Sequence, residues 1–557
     1  MPFVAGKQAF LEILSQEGVE FLFGNPGTTE LPLMDALARE ERIRYILALQ
    51  EAVAIAMADG YSQASGKLGV VNVHTSPGLG NAMGMLYDAY EAGSPLLVTA
   101  GQHDQSFTLT EPVLWSDLPP VARPYVKWSF EIRRPEELPR AVHRAAKVAL
   151  APPTGPVFLS LPVDVLNAER ELDLGEPTRV EAGVRGPREA VERAADLLAR
   201  ASRPIFVAGD AVAQGDALAE LQEVAEILGA PVYLEGMANR CAFPFTHPLF
   251  RGGIPRLGPE LRGVLGNHDL LFSVGADLFT LSLPPDAEPV PRELSIIHLD
   301  LDPWEIGKNY PTTVGILGDP KATLPDLAEA LRRRFKGGRH PEALERLEQG
   351  RRSRERRVAE LKVRARAESD RTPITPLALV HALAEALPPE AAVVDESISS
   401  GIGLRSLLRC EDARSFFGLR GGGIGWGLPA AAGVKLALAR RPVVALVGDG
   451  SAMYTNQTFW TAARERLAVV FVILNNRSYR ILKQRIQALK GFAAHDDVYV
   501  GMDLEKPLID FVGLAASLGV PGERVEKCPE VAPALARGLA AGGPYLLDVQ
   551  LDPAFKP

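Results

Sequence analysis

The sequence predicts an α/β protein built from three doubly wound parallel-sheet domains. Three observations carry that prediction. At 557 residues the chain exceeds one typical domain. Apolar, β-branched runs of strand length alternate with stretches of helical spacing along most of it. One stretch, Val443 to Leu474, reads as a complete βαβ unit: an apolar run, a glycine turn, a helical segment, and a second apolar run.

The first domain is expected over 1–180. Phe21-Leu22-Phe23 precedes Gly24-Asn25-Pro26-Gly27, Tyr45 to Leu49 precedes Gln50-Glu51, and Leu68 to Val73 precedes His74. Leu96 to Thr99 and Val157 to Leu161 complete five strands with helices between them, the pattern of a parallel sheet covered on both faces. The proline- and charge-rich stretch Asp173 to Pro187 reads as a linker. A middle domain follows over 188–336, opening with the amphipathic helix Glu189 to Ala201. Its strands are Pro204 to Ala208, Pro231 to Leu234, Asp269 to Val274 and Ser295 to Leu299. Residues 337–373 are dense in Arg and Glu of interspersed sign, which reads as a solvated connecting helix and not a polyanion site. The third domain, 374–557, contains the βαβ unit and repeats the rhythm of the first, consistent with an old duplication.

Composition excludes several function classes. Net charge is −9, so the basic footprint of a nucleic-acid binder is absent. No run of 18 apolar residues suggests a membrane span, and Lys7, Glu12 and Glu17 interrupt any signal-peptide core. The three cysteines, Cys241, Cys410 and Cys528, are widely spaced and odd in number, which fits neither a disulfide framework nor a zinc site. The chain reads as cytoplasmic.

The chemistry concentrates at the expected carboxyl ends of strands. Gly448-Asp449-Gly450-Ser451 ends one strand of the βαβ unit, and Asn475-Asn476 ends the other. Parallel strands put both ends on one edge of the sheet, where ligands of such sheets bind. A carboxylate and an amide oxygen there can hold Mg²⁺, with the carbonyl of Ser478 as a further ligand, and the ion can hold a diphosphate. GDG alone is most often an ordinary turn. GDG followed by NN, each after an apolar strand, is far more specific and resembles the signature of thiamine diphosphate enzymes. Glu51 and His74 fall at strand ends of the first domain; each alone reads as a cap or a structural residue. Together they suit a cofactor that needs a water-shielded carboxyl group against its aminopyrimidine ring.

Longer segments carry the resemblance further. FGNPGTTELPLMDAL, YILALQEAVAIAMADGYSQASGK, NVHTSPGLGNAMG, DESISS, GGGIGWGLPAAAG and GDGSAMYTNQTFWTAA are similar to segments of benzoylformate decarboxylases, within the 2-oxo acid decarboxylase and acetolactate synthase group. The resemblance implies a pyrimidine-binding, a middle and a diphosphate-binding domain, with thiamine diphosphate and Mg²⁺ as cofactors. It implies a homodimer at minimum, with a homotetramer expected, because the cofactor lies between the first domain of one subunit and the third of another. Glu51 matches the activating glutamate; Asp449, Asn476 and the Ser478 carbonyl match the metal ligands. Asn25, Pro26, Gly27, Ser399, Gly422, Gly448, Gly450, Ser451, Tyr454 and Tyr479 fall among the cofactor contacts, and Ile424 matches the aliphatic prop of the bent cofactor. Thr28 and His74 match groups beside the substrate carboxylate, able to orient a 2-oxo acid and relay protons.

Three positions depart from the benzoylformate pattern. Ser282 stands where a second histidine is expected, and a hydroxyl is a poor relay at neutral pH. Ile481 stands where a small residue leaves room for a phenyl ring. Arg485 replaces an aromatic residue, and either pairs with an extra anionic group on the substrate or is a surface arginine. The sequence therefore points to non-oxidative decarboxylation of a 2-oxo acid, with an acetolactate-synthase-like carboligase as the alternative. A flavin-dependent relative lacks support, because no arginine-rich segment lies near Gly275. A non-catalytic thiamine-binding scaffold would have lost Glu51 or the metal ligands, and neither is lost.

Overall fold

The computed structural model describes residues 1–554. Three six-stranded sheets, parallel throughout, follow one another along the chain. In the first, the spatial order is Arg44–Leu47, Phe21–Gly24, Gly69–His74, Leu96–Gln102, Val157–Pro162, Ser129–Glu131. The third runs Phe416–Gly418, Ala392–Glu396, Val443–Gly448, Val469–Asn475, Tyr545–Gln550, Gly522–Val525. Numbered along each domain, both orders are 2-1-3-4-6-5. The shared order supports the duplication suggested by their rhythm. The middle sheet differs: Phe250–Gly253, Val232–Leu234, Pro204–Ala208, Leu270–Val274, Ser295–Asp300, Val314–Leu317, or 3-2-1-4-5-6.

Each sheet has more strands than the apolar runs announce. The additions are edge strands: Ser129–Glu131 in the first, Phe250–Gly253 and Val314–Leu317 in the middle, Phe416–Gly418 and Gly522–Val525 in the third. They are three or four residues long, and an edge strand needs no continuous apolar run because one side lacks a neighbour. An antiparallel pair, Phe3–Ala5 with Glu169–Glu171, ties the two ends of the first domain together.

Helices cover both faces of each sheet. The connecting helix Ala343–Ala367 is as charged as expected, laced by Arg351 to Glu348 and Glu355 and by Arg352 to Glu348 at helical spacing. First and third domains meet where helix Glu51–Ser65 crosses helix Gly427–Ala437. Glycine permits the approach. A Cβ on Gly433 would lie 1.9 Å from the Met57 carbonyl oxygen, and one on Gly60 would lie 2.3 Å from that of Ala430. Among the described residues no helix is long and apolar enough to cross a membrane.

Candidate active site

Order 2-1-3-4-6-5 places a topological switch between the first and third strands of a domain, where ligands of open α/β sheets bind. In the first domain that crevice lies between the ends of Phe21–Gly24 and Gly69–His74. The loop 25–30, Glu51 and His74 converge there. Glu51 opens helix Glu51–Ser65, capped by the Gln50 side chain, which accepts from the amides of Ala52 and Val53 at 2.5 and 3.3 Å. It is 6% exposed. Asn81 donates to its Oε2 at 3.0 Å, Asn25 reaches Oε1 at 3.5 Å, and Gly78 brings a neighbouring helix against it.

His74 packs flat on Gly27, where a Cβ would fall 2.2 Å from the ring. Its Nδ1 lies 2.8 Å from Glu30 Oε2, so Nδ1–H is committed to that carboxylate and Nε2 is the nitrogen left for other work. The Glu30 hydrogen bond raises the imidazole's pKa above its ordinary 6.5, against the opposing effect of burial. Glu30 is fully buried and is the hub of this half-site. It also accepts from the amides of Gly27 at 2.9 Å and Gly101 at 2.8 Å, and from the Thr29 hydroxyl at 2.8 Å. The hydroxyl within 3.0 Å of His74 is that of Thr29, while Thr28 and Pro26 stand exposed on the same turn.

The third domain builds the other half. Its switch lies between Ala392–Glu396 and Val443–Gly448, whose ends carry Ser399 and Asp449. Asp449 is 2% exposed; its Oδ1 takes the Gly450 amide at 3.0 Å, and its Oδ2 is buried with no partner. Burial pushes its carboxyl up to about 6, against the pull of the Gly450 amide. Asn476 Oδ1 accepts both the amide and the hydroxyl of Ser478 at 3.0 Å, and its Nδ2 reaches Ser400 at 3.5 Å. Arg477 takes a positive φ of 58° to make that turn. A cation on Asn476 Oδ1 would displace the Ser478 hydroxyl. The orphaned Asp449 oxygen, the adjacent amide oxygen and the small residues Gly448, Gly450 and Ser451 fit a hard cation carrying a diphosphate. Tyr479 closes over Gly450, where a Cβ would lie 2.4 Å from its ring, and Tyr454 stands exposed beyond Gly425.

The positions set aside for substrate selectivity also gather. Ile481 and Arg485 lie half-buried on helix Arg480–Leu489. Ser282 is tied through its amide to the carbonyl of Arg256 at 2.9 Å. Burial and the nearby Arg485 guanidinium both lower the pKa of Arg256, which puts the Ser282 loop and Arg485 on one side of the molecule.

The two clusters draw their hydrogen bonds from different domains. The hydrogen-bond partners of Glu51, Asn25 and Asn81, belong to the first domain; those of Asp449 belong to the third. Sequence reasoning missed Glu30, Thr29 and Asn81, although all three stand inside the motifs it singled out. A buried carboxylate that collects amides looks like any cap until the fold places its donors.

The fold defines a three-domain α/β protein whose first and third domains share one sheet order. Residues 4–114, 191–327 and 400–549 match, in turn, the families described as thiamine pyrophosphate enzyme N-terminal TPP binding domain, central domain and C-terminal TPP binding domain. The chain is 33% identical to a benzoylformate decarboxylase of Pseudomonas aeruginosa over 97% of its own length and 98% of the relative's. It is 31% identical to a probable acetolactate synthase large subunit of Methanocaldococcus jannaschii, over 99% of this chain and 92% of that one. Among solved structures, a thiamine diphosphate-dependent 4-hydroxybenzoylformate decarboxylase of Rhodococcus jostii superposes with a TM-score of 0.86 at 31% identity, covering 99% of this chain and 100% of that one. Benzoylformate decarboxylase from Polynucleobacter necessarius gives 0.86 at 30%, covering 99% of each. The chain belongs to the thiamine pyrophosphate enzyme family, in its decarboxylase and acetolactate synthase branch.

Proposed function

We propose that this protein is a thiamine diphosphate- and Mg²⁺-dependent decarboxylase that converts a 2-oxo acid to an aldehyde and CO₂ without net oxidation. The observation that carries the reading is the pair of complementary half-sites: a buried Glu51 at one switch point and an unpartnered Asp449 oxygen beside Asn476 at the other. Thiamine diphosphate supplies, when bound, an electron sink for the pair released with CO₂. Asp449, Asn476 and the Ser478 carbonyl would hold Mg²⁺. Glu51, oriented by Asn25 and Asn81, would hold and return a proton at its carboxylate oxygens. His74, with Nδ1–H tied to Glu30, would present Nε2 to the substrate carboxylate and to the proton delivered later.

Glu51 and Asp449 take their hydrogen-bond partners from different domains, which supports an assembly in which the Glu51 cluster faces a partner's Asp449 cluster, hence a homodimer at minimum and a homotetramer by pairing of dimers. Exposed apolar side chains such as Leu109 at 95% and Phe492 at 92% support a covering partner. A 2-oxo acid without a phenyl ring is favoured if Ile481 occupies the position the resemblance implies, where a branched side chain would take ring space at a cost of ~1–3 kcal/mol.

One observation favours a carboligase as the second reading: Ser282 is a poor proton donor, so the intermediate would persist long enough to meet a second oxo acid. A flavin has little support. Among the described residues lining the cleft of about 640 Å³ at the carboxyl ends of the middle sheet, the one arginine, Arg420, is already paired with Asp210 and Glu235. The test is a panel of aromatic, branched and dicarboxylic 2-oxo acids with thiamine diphosphate and Mg²⁺, following CO₂ and aldehyde together. Stoichiometric aldehyde supports the decarboxylase; a five-carbon hydroxy acid from pyruvate supports the carboligase; no CO₂ from any acid would refute both.

A further inference from the structure

The loop Arg420–Gly427 is held by carboxylates from all three domains. At its start Arg420 pairs with Asp210 and Glu235 of the middle domain, both at 2.6 Å. Farther along, Asp88 of the first domain accepts the Gly423 amide at 2.9 Å. Glu396 of the third domain accepts the amides of Gly425 and Gly427, each at 2.6 Å. Trp426 between them donates its indole N–H to the buried Asp59 of the first domain at 2.6 Å. Inside this frame Gly422 is exposed and Ile424 half-exposed. Those are the two residues that, on the proposed function, touch the cofactor.

We infer that Asp88 is a positioning residue for the cofactor: it sets the height of the Gly422–Ile424 segment, and with it the aliphatic prop, from a different domain. The contact is too close for any side chain but hydrogen. A Cβ on Gly421 would lie 2.3 Å from Asp88 Oδ1, and one on Gly423 would lie 2.6 Å from Oδ2. The backbone is bent to make it, with φ of +90° at Gly422 and +104° at Gly425. Asp88 is 2% exposed, and its Oδ2 has no partner. Burial, with Asp59, Glu396 and Glu91 as further acidic neighbours, pushes its carboxyl up to about 8. Either protonation state leaves Oδ1 free to accept the Gly423 amide, so the acceptor and not the charge does the positioning. The same helix, Thr75–Glu91, carries Asn81 against Glu51. On the proposed assembly, one rigid element thus sets the activating carboxylate of one site and the prop of another.

This inference rests on the proposed thiamine diphosphate site, and its test separates the two. Cofactor binding is read by near-UV circular dichroism and tryptophan quenching during titration with thiamine diphosphate and Mg²⁺, and turnover is measured on the same samples. If the wild-type protein does not bind the cofactor, the functional reading fails. If it does, Asp88→Ala should weaken binding about tenfold or more, the cost of stranding one buried amide. Asp88→Asn, which keeps an acceptor, should stay within about threefold of wild type and leave the pH profile unmoved. A second route avoids removing the carboxylate. Gly423→Ala should weaken binding similarly, and Asp88→Ala added to it should cost less than the two losses combined, because the clash is relieved. Wild-type affinity in Asp88→Ala, an Asp88→Asn as damaged as Asp88→Ala, or strict additivity of the pair would each overturn the assignment.

Discussion

Replacing Glu30 tests how the first half-site works. Its side chain is wholly buried and collects four donors: the amides of Gly27 and Gly101, the Thr29 hydroxyl and His74 Nδ1. Glu30→Ala strands two buried amides at ~1–3 kcal/mol each, so a loss of about 2–6 kcal/mol in unfolding free energy is expected. Glu30→Gln is the gentler and more informative change, since it keeps the shape and removes the charge. The hydrogen bond to Glu30 holds the His74 pKa above 6.5. If protonated His74 orients the substrate carboxylate, kcat/KM falls as pH rises through that raised value. Removing the charge lowers the pKa, so the alkaline limb should move to lower pH in Glu30→Gln, with kcat/KM below the wild-type value at pH 8. Stability follows the same sign. A raised histidine pKa contributes stability that is complete below 6.5 and lost as pH rises through the folded value. The assay is a kcat/KM profile from pH 5 to 9, paired with thermal melts. An alkaline limb at the same pH in wild type and Glu30→Gln would refute the reasoning.

Three further outcomes are expected. Glu51→Gln should bind thiamine diphosphate in the same titration as wild type yet lose about a thousandfold or more in kcat, and unchanged turnover would defeat its activating role. Asp449→Ala should abolish Mg²⁺-dependent cofactor binding while the apo-protein melts at or above the wild-type temperature, because the removed carboxylate has one buried unpartnered oxygen; equilibrium dialysis with Mg²⁺ checks the first half and calorimetry the second. Gly433→Ala should destabilise the chain by about 3 kcal/mol or more, since its Cβ would meet the Met57 carbonyl at 1.9 Å; denaturant melts showing less than ~1 kcal/mol would mean the two helices separate freely.

The central strands and the site's strand-end residues were readable directly. Val443–Gly448 and Val469–Asn475 are buried on both faces, so burial itself writes them as continuous apolar runs, and the glycines after them mark the turn. Asp449, Asn476, Glu51 and His74 could be named for the same reason, because a short motif sits where a recognisable strand stops. Edge strands such as Ser129–Glu131 were not readable: a half-buried strand of three residues imposes no pattern on composition. Thr29, rather than its neighbour Thr28, meets His74 because the turn through Thr28–Glu30 points one hydroxyl inward and the other to solvent.

By itself, then, the sequence determined whatever is local: which segments are strands, where each stops, and which polar group waits at its end. Tertiary structure alone decided which of those groups are held and by what. Asp88 and Gly423 are 335 positions apart, and neither has a neighbour in sequence that announces the other. Their meeting depends on two helices crossing at glycines, and a buried hydrogen bond exists only once both domains are folded and packed.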